Sequence, residues 1–185
     1  MRALSILKDK MMRAKQFWAA ITARVTIEDA IWVNGILTPR EARLFWRMNL
    51  PDQQHAIRVA RSAMDLARRV RGDVDTELLI RGALLHDVGK VYGDVSTADK
   101  VITVIGHKFA PRMMRSWGRE GRGGRIDNIR HACYVYFHHP RRSADFLRKI
   151  DAEEELIELV LHHHEPMVSG ERMELTLLRQ ADEMH

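Results

Sequence analysis

Apolar residues recur every three or four positions along almost the whole chain, which is the spacing of amphipathic helices. A first apolar stripe runs from Leu4 to Val25, and the other faces of the helix that it predicts carry lysine and arginine. No segment alternates polar and apolar residues over a comparable length, as a half-buried strand would. The pattern therefore predicts an all-α fold. Later stripes predict helices over residues 52–71, 76–88 and 98–117, after residue 151, and from about residue 171.

Short patterns predict where individual helices begin and where the chain turns. Residues 38–41 (TPRE) combine an N-cap threonine, a proline in the first turn and a glutamate at the third position. Residues 151–154 (DAEE) have the spacing of a capping box with Asp in the threonine position. Pro140 is expected to open a helix, which would leave His139 at the N-cap. The glycine-rich residues 118–124 predict a flexible connector.

The apolar stripe over residues 4–25 has two interpretations. A helix with one apolar face and several basic residues can lie on an anionic membrane surface. More often such a helix packs on the rest of its own domain or on another subunit. We favour packing, which leaves open both the chain's own domain and a second copy in a homo-oligomer as the partner of this helix, and a membrane is disfavoured.

The composition favours a soluble protein with one main domain. The chain has 185 residues, with 30 Lys and Arg against 25 Asp and Glu, and a net charge of +5. No window approaches the roughly 20 apolar residues of a membrane helix, and no signal-peptide core is evident, so we expect a cytoplasmic protein. The single cysteine, Cys133, excludes an internal disulfide and zinc sites built from several thiolates. The positive charge favours anionic partners.

The ten histidines are placed unevenly, and several of them extend apolar stripes. His55, His86, His163 and His164 do so, and Asp182 does the same near the end of the chain. These polar side chains are therefore expected to converge where helices meet. An ionised carboxylate is costly to bury there, and a divalent cation would offset that cost. Imidazole and carboxylate without thiolate suit Fe, Mn, Co, Ni or Zn better than Ca.

Three segments in the second part of the chain resemble the motifs of one family. Residues 84–90 (LLHDVGK), preceded by His55 and followed by Asp182 in RQAD, are similar to the signature of the HD-domain superfamily of metal-dependent phosphohydrolases. Residues 139–144 (HPRRSA) resemble the family's HPxxGA. Residues 163–165 (HHE) resemble the HHE of the HD-GYP branch, which cleaves cyclic dinucleotides.

The resemblance spans residues 51–185, so residues 1–50 are predicted to be an N-terminal helical extension of an HD-domain helical bundle. Two departures from the family's motifs limit the activity that the resemblance implies. Ser143 stands where the family usually has glycine. The GYP segment that should follow HHE is replaced by residues 167–170 (MVSG). Cleavage of cyclic di-GMP is therefore not implied.

The resemblance implies a centre of one or two divalent ions, whose identity stays open among Mn, Fe, Co, Ni, Zn and Mg. Asp87 would bridge two ions, and Lys90 would place its ammonium against a phosphate oxygen; these are the implied catalytic residues. The implied reaction is hydrolysis of a phosphate monoester or diester, in a nucleotide or related small molecule, by hydroxide that the metal activates. The implied ligands of the two ions are His55, His86, Asp87 and Asp182 for one, and His139, His163 and His164, with Asp87 shared, for the other.

Two other functions share this ligand order. Within the same superfamily, mixed-valent diiron oxygenases use it to cleave C–C or C–P bonds. A non-catalytic regulatory module with a structural metal would also carry it. The ligands alone do not separate these alternatives from a phosphohydrolase.

Four arginines recur at helical spacing and form a basic ridge. The ridge would suit a phosphate-bearing substrate or RNA, but a solvated helix face is the commoner outcome, and no aromatic stacking platform accompanies it. Nucleic acid is therefore a less favoured partner. The ridge consists of Arg112, Arg115, Arg119 and Arg122. The remaining histidines are His107, His131, His138 and His162. They are interpreted as incidental, although His107 could also be a substrate contact.

Overall fold

The computed structural model describes residues 24–70 and 72–185, and this part of the chain is built from helices with short connections. The predicted all-α fold is confirmed, because the described residues form no strand, only one antiparallel bridge between Met48 and Val91. None of the described helices is long and apolar enough to span a bilayer. The stripe predicted over residues 4–25 lies almost wholly outside the described residues. The helices are α1 (Ile27–Ile36), α2 (Pro39–Phe45), α3 (Leu50–Ala67), α4 (Thr76–Leu85), α5 (Thr97–Phe109), α6 (Pro111–Trp117), α7 (Arg125–Arg148), α8 (Glu154–His162) and α9 (Met173–Glu183).

The first two helices begin where local signals place them. The Thr38 hydroxyl accepts a hydrogen bond from the Glu41 N–H, and the Glu41 carboxylate accepts one from the Thr38 N–H, as predicted for the start of α2. Thr26 and Asp29 form the same reciprocal pair at the start of α1. Each pair satisfies backbone donors that the first turn of a helix leaves free.

Two predicted boundaries are wrong for reasons that the structure makes clear. The capping box at Asp151 does not form, because α8 begins at Glu154 after Glu153, and Asp151 lies in the preceding turn with φ of 57°. Residues 98–117 form two helices instead of one. Pro111 has no N–H with which to continue α5, so it begins α6.

Small residues control how closely the central helices approach each other. Ala56, Ala60 and Ala63 on α3 are fully buried, and α3 packs closely along α4. Gly82 on α4 lies so near α8 that an added Cβ would overlap the Leu159 side chain. These crossings set the distances between helices that carry the candidate site.

The described N-terminal helices pack into the same hydrophobic core as the rest. Val33, Leu37 and Phe45 are buried in it. An ion pair adds to this contact, since Arg81 Nη2 on α4 lies 2.7 Å from Glu41 Oε1 on α2, with both side chains at most 10% exposed. The division of the chain at residue 50 stays a prediction, while the described helices on both sides of it share one core.

Candidate metal centre

Histidine and aspartate side chains from α3, α4, α7, α8 and α9, or from the turns that follow them, meet in one cluster. Their ligating atoms form three overlapping groups, each with all atoms within 4.8 Å of one another. The structure thereby brings together all seven residues that the sequence predicts as ligands. The groups are His55, His86 and Asp182; His86, Asp87 and His163; and His139, His163 and His164.

Asp87 lies between the two outer groups of the cluster. Its Oδ1 is 3.3 Å from His139 Nε2, and its Oδ2 is 3.4 Å from His86 Nε2. Asp182 lies beside the first group, with Oδ1 2.9 Å from His55 Nε2 and 3.7 Å from His86 Nε2. Asp87 therefore presents one oxygen to each group, which is what a bridging carboxylate requires.

Three of the histidine rings are held by the backbone of their own helix. In each, Nδ1 lies 2.6 to 2.8 Å from the carbonyl oxygen three residues earlier. A carbonyl only accepts hydrogen bonds, so Nδ1 carries the proton and Nε2 keeps its lone pair. Such an outer partner fixes the tautomer and orientation that a metal ligand needs. The pairs are His86 with Ala83, His139 with Tyr136, and His163 with Val160.

Two of these carbonyls are free because a helix ends beside them. Ala83 and Val160 lie in the last turns of α4 and α8, where the final carbonyls have no intrahelical donor. The helix predicted over residues 76–88 ends at Leu85, so His86 is its C-cap and Asp87 lies in the turn. The end of the helix thus supplies both the ligands and the acceptor that orients one of them.

The third carbonyl, that of Tyr136, is free because of a proline. Pro140 lies inside α7, which runs unbroken from Arg125 to Arg148, so the prediction that Pro140 opens a helix with His139 at its N-cap is wrong. A proline has no N–H to donate to the carbonyl four residues earlier, and here that carbonyl belongs to Tyr136. The His139 ring donates to it instead.

Replacing Pro140 by alanine is therefore expected to weaken Mn²⁺ binding about tenfold. The new backbone N–H would compete with the His139 ring for the Tyr136 carbonyl. Thermal unfolding of the metal-free protein should change little, because the added hydrogen bond offsets the lost rigidity of proline. Equilibrium dialysis measures the affinity, with Pro39→Ala at the first turn of α2 as the control. Unchanged Mn²⁺ affinity in the Pro140 variant would contradict this role.

The cluster contains buried polar atoms with no hydrogen-bond partner among the described residues. They are Nε2 of His86, Nε2 of His163 and Oδ1 of Asp87. Unpaired polar atoms are costly in a protein interior, and a bound cation would satisfy all three. The donor set, imidazole and carboxylate, fits Mn, Fe, Co, Ni or Zn. The residues present therefore fit the divalent metal that the sequence implies.

Burial and neighbouring charges favour the protonation states that bind metal at Asp87, His139 and His163. Burial alone would raise the pKa of the Asp87 carboxyl, but the Lys90 ammonium, 2.7 Å from Oδ2, and the rings of His86 and His139 hold it well below its usual range. Burial, reinforced by Lys90, lowers the pKa of His139 well below its ordinary value. Burial and the neighbouring histidines do the same for His163. At neutral pH the site therefore offers an ionised Asp87 and uncharged rings of His139 and His163, whereas Asp87 and Asp182 outweigh burial and raise the pKa of His86.

The turn that carries Asp87 rests directly on α7. The Gly89 N–H donates a 2.8 Å hydrogen bond to Ser143 Oγ, and a Cβ at Gly89 would lie only 2.6 Å from the His139 carbonyl oxygen. This approach requires glycine at residue 89. Ser143, which stands where the family usually has glycine, supplies an acceptor for the buried N–H. The contact holds Asp87 and His139 at the distance that the cluster needs.

A cleft of about 850 Å³ opens onto the cluster. Part of its wall comes from α5, α6 and α7, including residues that sequence reasoning left aside. For His107 the sequence favours a surface position over a substrate contact, and its ring lies 5.1 Å from that of Tyr136 in this wall. Arg141 lies three residues after His138 and therefore on the same face of α7. Because the sequence predicted that a new helix begins at Pro140, it gave no reason to place the two residues on one face. The cluster residues in the lining are His55, Asp87, His139, His164 and Asp182.

His131, by contrast, has a structural role. Its Nε2 lies 2.7 Å from Asp94 Oδ1, and its Nδ1 accepts a hydrogen bond from the Gly121 N–H. Asp94 also accepts a 2.6 Å hydrogen bond from Arg142. These contacts connect α7 with the loop after residue 90 and with the glycine-rich connector.

Fold and cluster together define a helical bundle in which histidines and aspartates of five helices or the turns after them surround a candidate metal site. The family model of the HD domain matches residues 53–185, and the chain belongs to the HD domain family. No curated protein and no solved structure matches the chain. HD domains bind divalent metals and are commonly metal-dependent phosphohydrolases, and the His and Asp cluster is compatible with such hydrolase-type activity. The prediction of the HD-domain superfamily is confirmed, and the likeness to the HD-GYP branch stays a prediction.

Proposed function

We propose that this chain is a metal-dependent hydrolase of phosphate monoesters or diesters, acting on a nucleotide or a related small molecule. The observation that carries the proposal is the cluster itself. It combines a complete ligand set, three pre-oriented histidine rings and a carboxylate between two groups. It also opens onto a cleft large enough for a small molecule, so a substrate can reach it.

The ligand groups divide between two cation positions. His55, His86 and Asp182 would hold one divalent ion, and the second group, His139, His163 and His164, would hold another, with Asp87 facing both. A bound divalent metal supplies a Lewis acid for a phosphoryl oxygen and lowers the pKa of a water molecule, which is what attack on phosphorus needs. The low pKa of Asp87 keeps its carboxylate ionised for this role.

Lys90 would act on both the cluster and the substrate. Burial lowers the pKa of Lys90, but Asp87 and Asp52 more than compensate and raise it, so the ammonium stays charged. Asp87 accepts one of its three N–H bonds, and the side chain lines the cleft. The remaining N–H bonds can be donated to a phosphate oxygen. Lys90 would therefore keep Asp87 ionised and bind the phosphoryl group.

The test is metal reconstitution followed by a phosphoester panel. Protein stripped with a chelator and reloaded with Mn²⁺, Co²⁺ or Fe²⁺ is assayed with p-nitrophenyl phosphate, bis-p-nitrophenyl phosphate and nucleotides. We expect metal-dependent hydrolysis that disappears in His86→Ala, with the helical circular dichroism spectrum kept. His162→Ala is the matched control, because His162 adjoins the histidine pair but lies outside the cluster groups.

Two outcomes would overturn the proposal. Iron-dependent consumption of O₂ without hydrolysis of any phosphoester would assign the cluster to oxygenase chemistry. Tight metal binding with neither reaction, under every metal tested, would indicate a regulatory module.

A further inference from the structure

The cleft is much larger than a single phosphoryl group requires. Its volume of about 850 Å³ lies in the range of pockets that enclose whole drug-sized ligands. The cluster occupies only part of its wall. The rest includes a basic and aromatic part formed by Arg112, Arg115, Tyr136, Phe137 and Arg141. A substrate that filled the cleft would therefore touch this second wall as well as the cluster.

The carboxylates of the cleft do not neutralise these arginines. Asp87 Oδ2 lies 2.7 Å from Lys90 Nζ, Asp182 Oδ1 lies 2.9 Å from His55 Nε2, and Glu165 Oε2 lies 2.8 Å from His162 Nδ1. Within the part of the chain that the structure describes, none of the three arginines forms an ion pair with a carboxylate. They are Arg112, Arg115 and Arg141, and all three side chains are exposed. The cleft thus has a wall of arginines that no carboxylate of the described residues pairs with.

A neighbouring arginine shows what a structural role looks like in this fold. Arg142, next to Arg141 on α7, donates a 2.6 Å hydrogen bond to Asp94 and is mostly buried. The four arginines of the predicted basic ridge likewise fall into two groups, those that line the cleft and those that do not. Arg119 lies outside the cleft lining, and Arg122 donates to the Gly93 carbonyl, whereas Arg112 and Arg115 line the cleft.

The arginines of α6 and α7 face a common region beside the aromatic rings. The Arg115 guanidinium lies over the Phe137 ring, 5.6 Å from its centroid. Arg141 and His138 line the cleft from α7, and Arg115 lines it from α6. Two helices thus contribute positive charge to one place in the cleft.

We propose that Arg112, Arg115 and Arg141 form a second anion-binding subsite, which holds a phosphate group remote from the one that is hydrolysed. This inference rests on the proposed function and names its substrate class: small phosphoesters that carry a second phosphate. Guanidinium groups bind phosphate through paired N–H donors, and exposed arginines without carboxylate partners are free to do so. The rings of His107, Tyr136 and Phe137 would contact the part of the substrate that joins the two phosphates.

The test compares matched substrates that differ by one phosphate. These are adenosine 5′-monophosphate with adenosine 3′,5′-bisphosphate, and fructose 6-phosphate with fructose 1,6-bisphosphate. For at least one pair we expect the wild-type protein to prefer the bisphosphate. The double variant Arg115→Gln/Arg141→Gln should lose about tenfold more kcat/KM on that bisphosphate than on its partner, mainly through KM. Arg119→Gln, which removes the same charge from the ridge outside the cleft, should leave both values unchanged.

A binding measurement separates this inference from the proposed function. Calorimetry with metal-free protein and the same four compounds requires no turnover, and the bisphosphate should bind more tightly in the wild type than in the double variant. If hydrolysis fails for every substrate but this difference persists, the subsite stands and the proposed function falls. If hydrolysis occurs with no bisphosphate preference in either pair, or the double variant weakens all substrates equally, the subsite is wrong and the hydrolase stands. Tighter binding of a single-stranded RNA than of either bisphosphate, lost in the double variant, would also overturn the inference.

Discussion

Replacing Asp87 by asparagine is expected to remove bound metal and to lower phosphoester hydrolysis by more than about 100-fold. Loss of an outer partner of a metal ligand alone costs up to about 100-fold, and Asp87 contacts both ligand groups directly. The amide keeps the volume of the side chain but has no charge to offer a cation. Metal content by elemental analysis and kcat/KM on p-nitrophenyl phosphate measure the two effects.

Asparagine is a better test substitution for Asp87 than alanine because of the neighbouring Lys90. The Lys90 side chain is only a quarter exposed, and its ammonium lies 2.7 Å from the Asp87 carboxylate. Alanine would leave that charge buried without its partner, a situation that costs about 3–5 kcal/mol. Asp87→Ala is therefore expected to lose activity and also stability, whereas Asp87→Asn, with an amide oxygen left for Lys90, should lose mainly metal and activity.

The control for this variant is Asp65→Asn on α3. Asp65 pairs with Arg68 at 3.2 Å on the surface, where such a pair contributes little. It should leave metal content and activity unchanged. Full metal content and activity in Asp87→Asn would refute the metal mechanism.

Replacing Gly89 by alanine should have the second largest effect. The added Cβ would lie 2.6 Å from the His139 carbonyl oxygen and 2.9 Å from the Ser143 nitrogen. Both are backbone atoms of α7, so the turn that carries Asp87 has to move away from the helix. Overpacking of this kind costs about 1–3 kcal/mol, and a displacement near 1 Å at a catalytic site can cost about 100-fold in rate.

Thermal unfolding and Mn²⁺ affinity measure this prediction. Both should fall in Gly89→Ala. In the control Gly35→Ala, on α1, the new Cβ meets open space, and the better helix propensity of alanine should raise stability by up to about 1 kcal/mol. If Gly89→Ala binds Mn²⁺ as tightly as the wild type, the contact between the turn and α7 does not position the cluster.

Sequence reasoning found the ligands because their signals are periodic. His55, His163 and Asp182 extend apolar stripes, so the convergence of their side chains follows from burying those stripes. The order of motifs also predicted the HD domain, which the family match confirms. The capping box of Thr38 and Glu41 could also be predicted from the sequence, because a capping box depends only on residues within one turn.

The failures share a different cause. Pro140 and Asp151 carry strong local signals for the start of a helix, but Pro140 lies inside α7 and Asp151 lies in the turn before α8. A proline is tolerated inside α7 because the Tyr136 carbonyl, which Pro140 leaves without a backbone donor, accepts a hydrogen bond from the His139 side chain. Helix propensities do not describe this interaction. The position of Arg141 in the cleft could not be predicted either, since it depends on how α6 and α7 pack around the cleft.

The backbone carbonyls that hold His86, His139 and His163 also bear on how the protein selects among cations. The rings lose their rotational freedom during folding, so little side-chain ordering remains for the moment when an ion arrives. A cluster prepared in this way adapts poorly to ions of different radius. If the cluster holds a divalent ion, discrimination between Mn²⁺, Fe²⁺ and Zn²⁺ would depend on how well each ion's radius and preferred geometry fit the fixed ligands, and less on rearrangement of the protein.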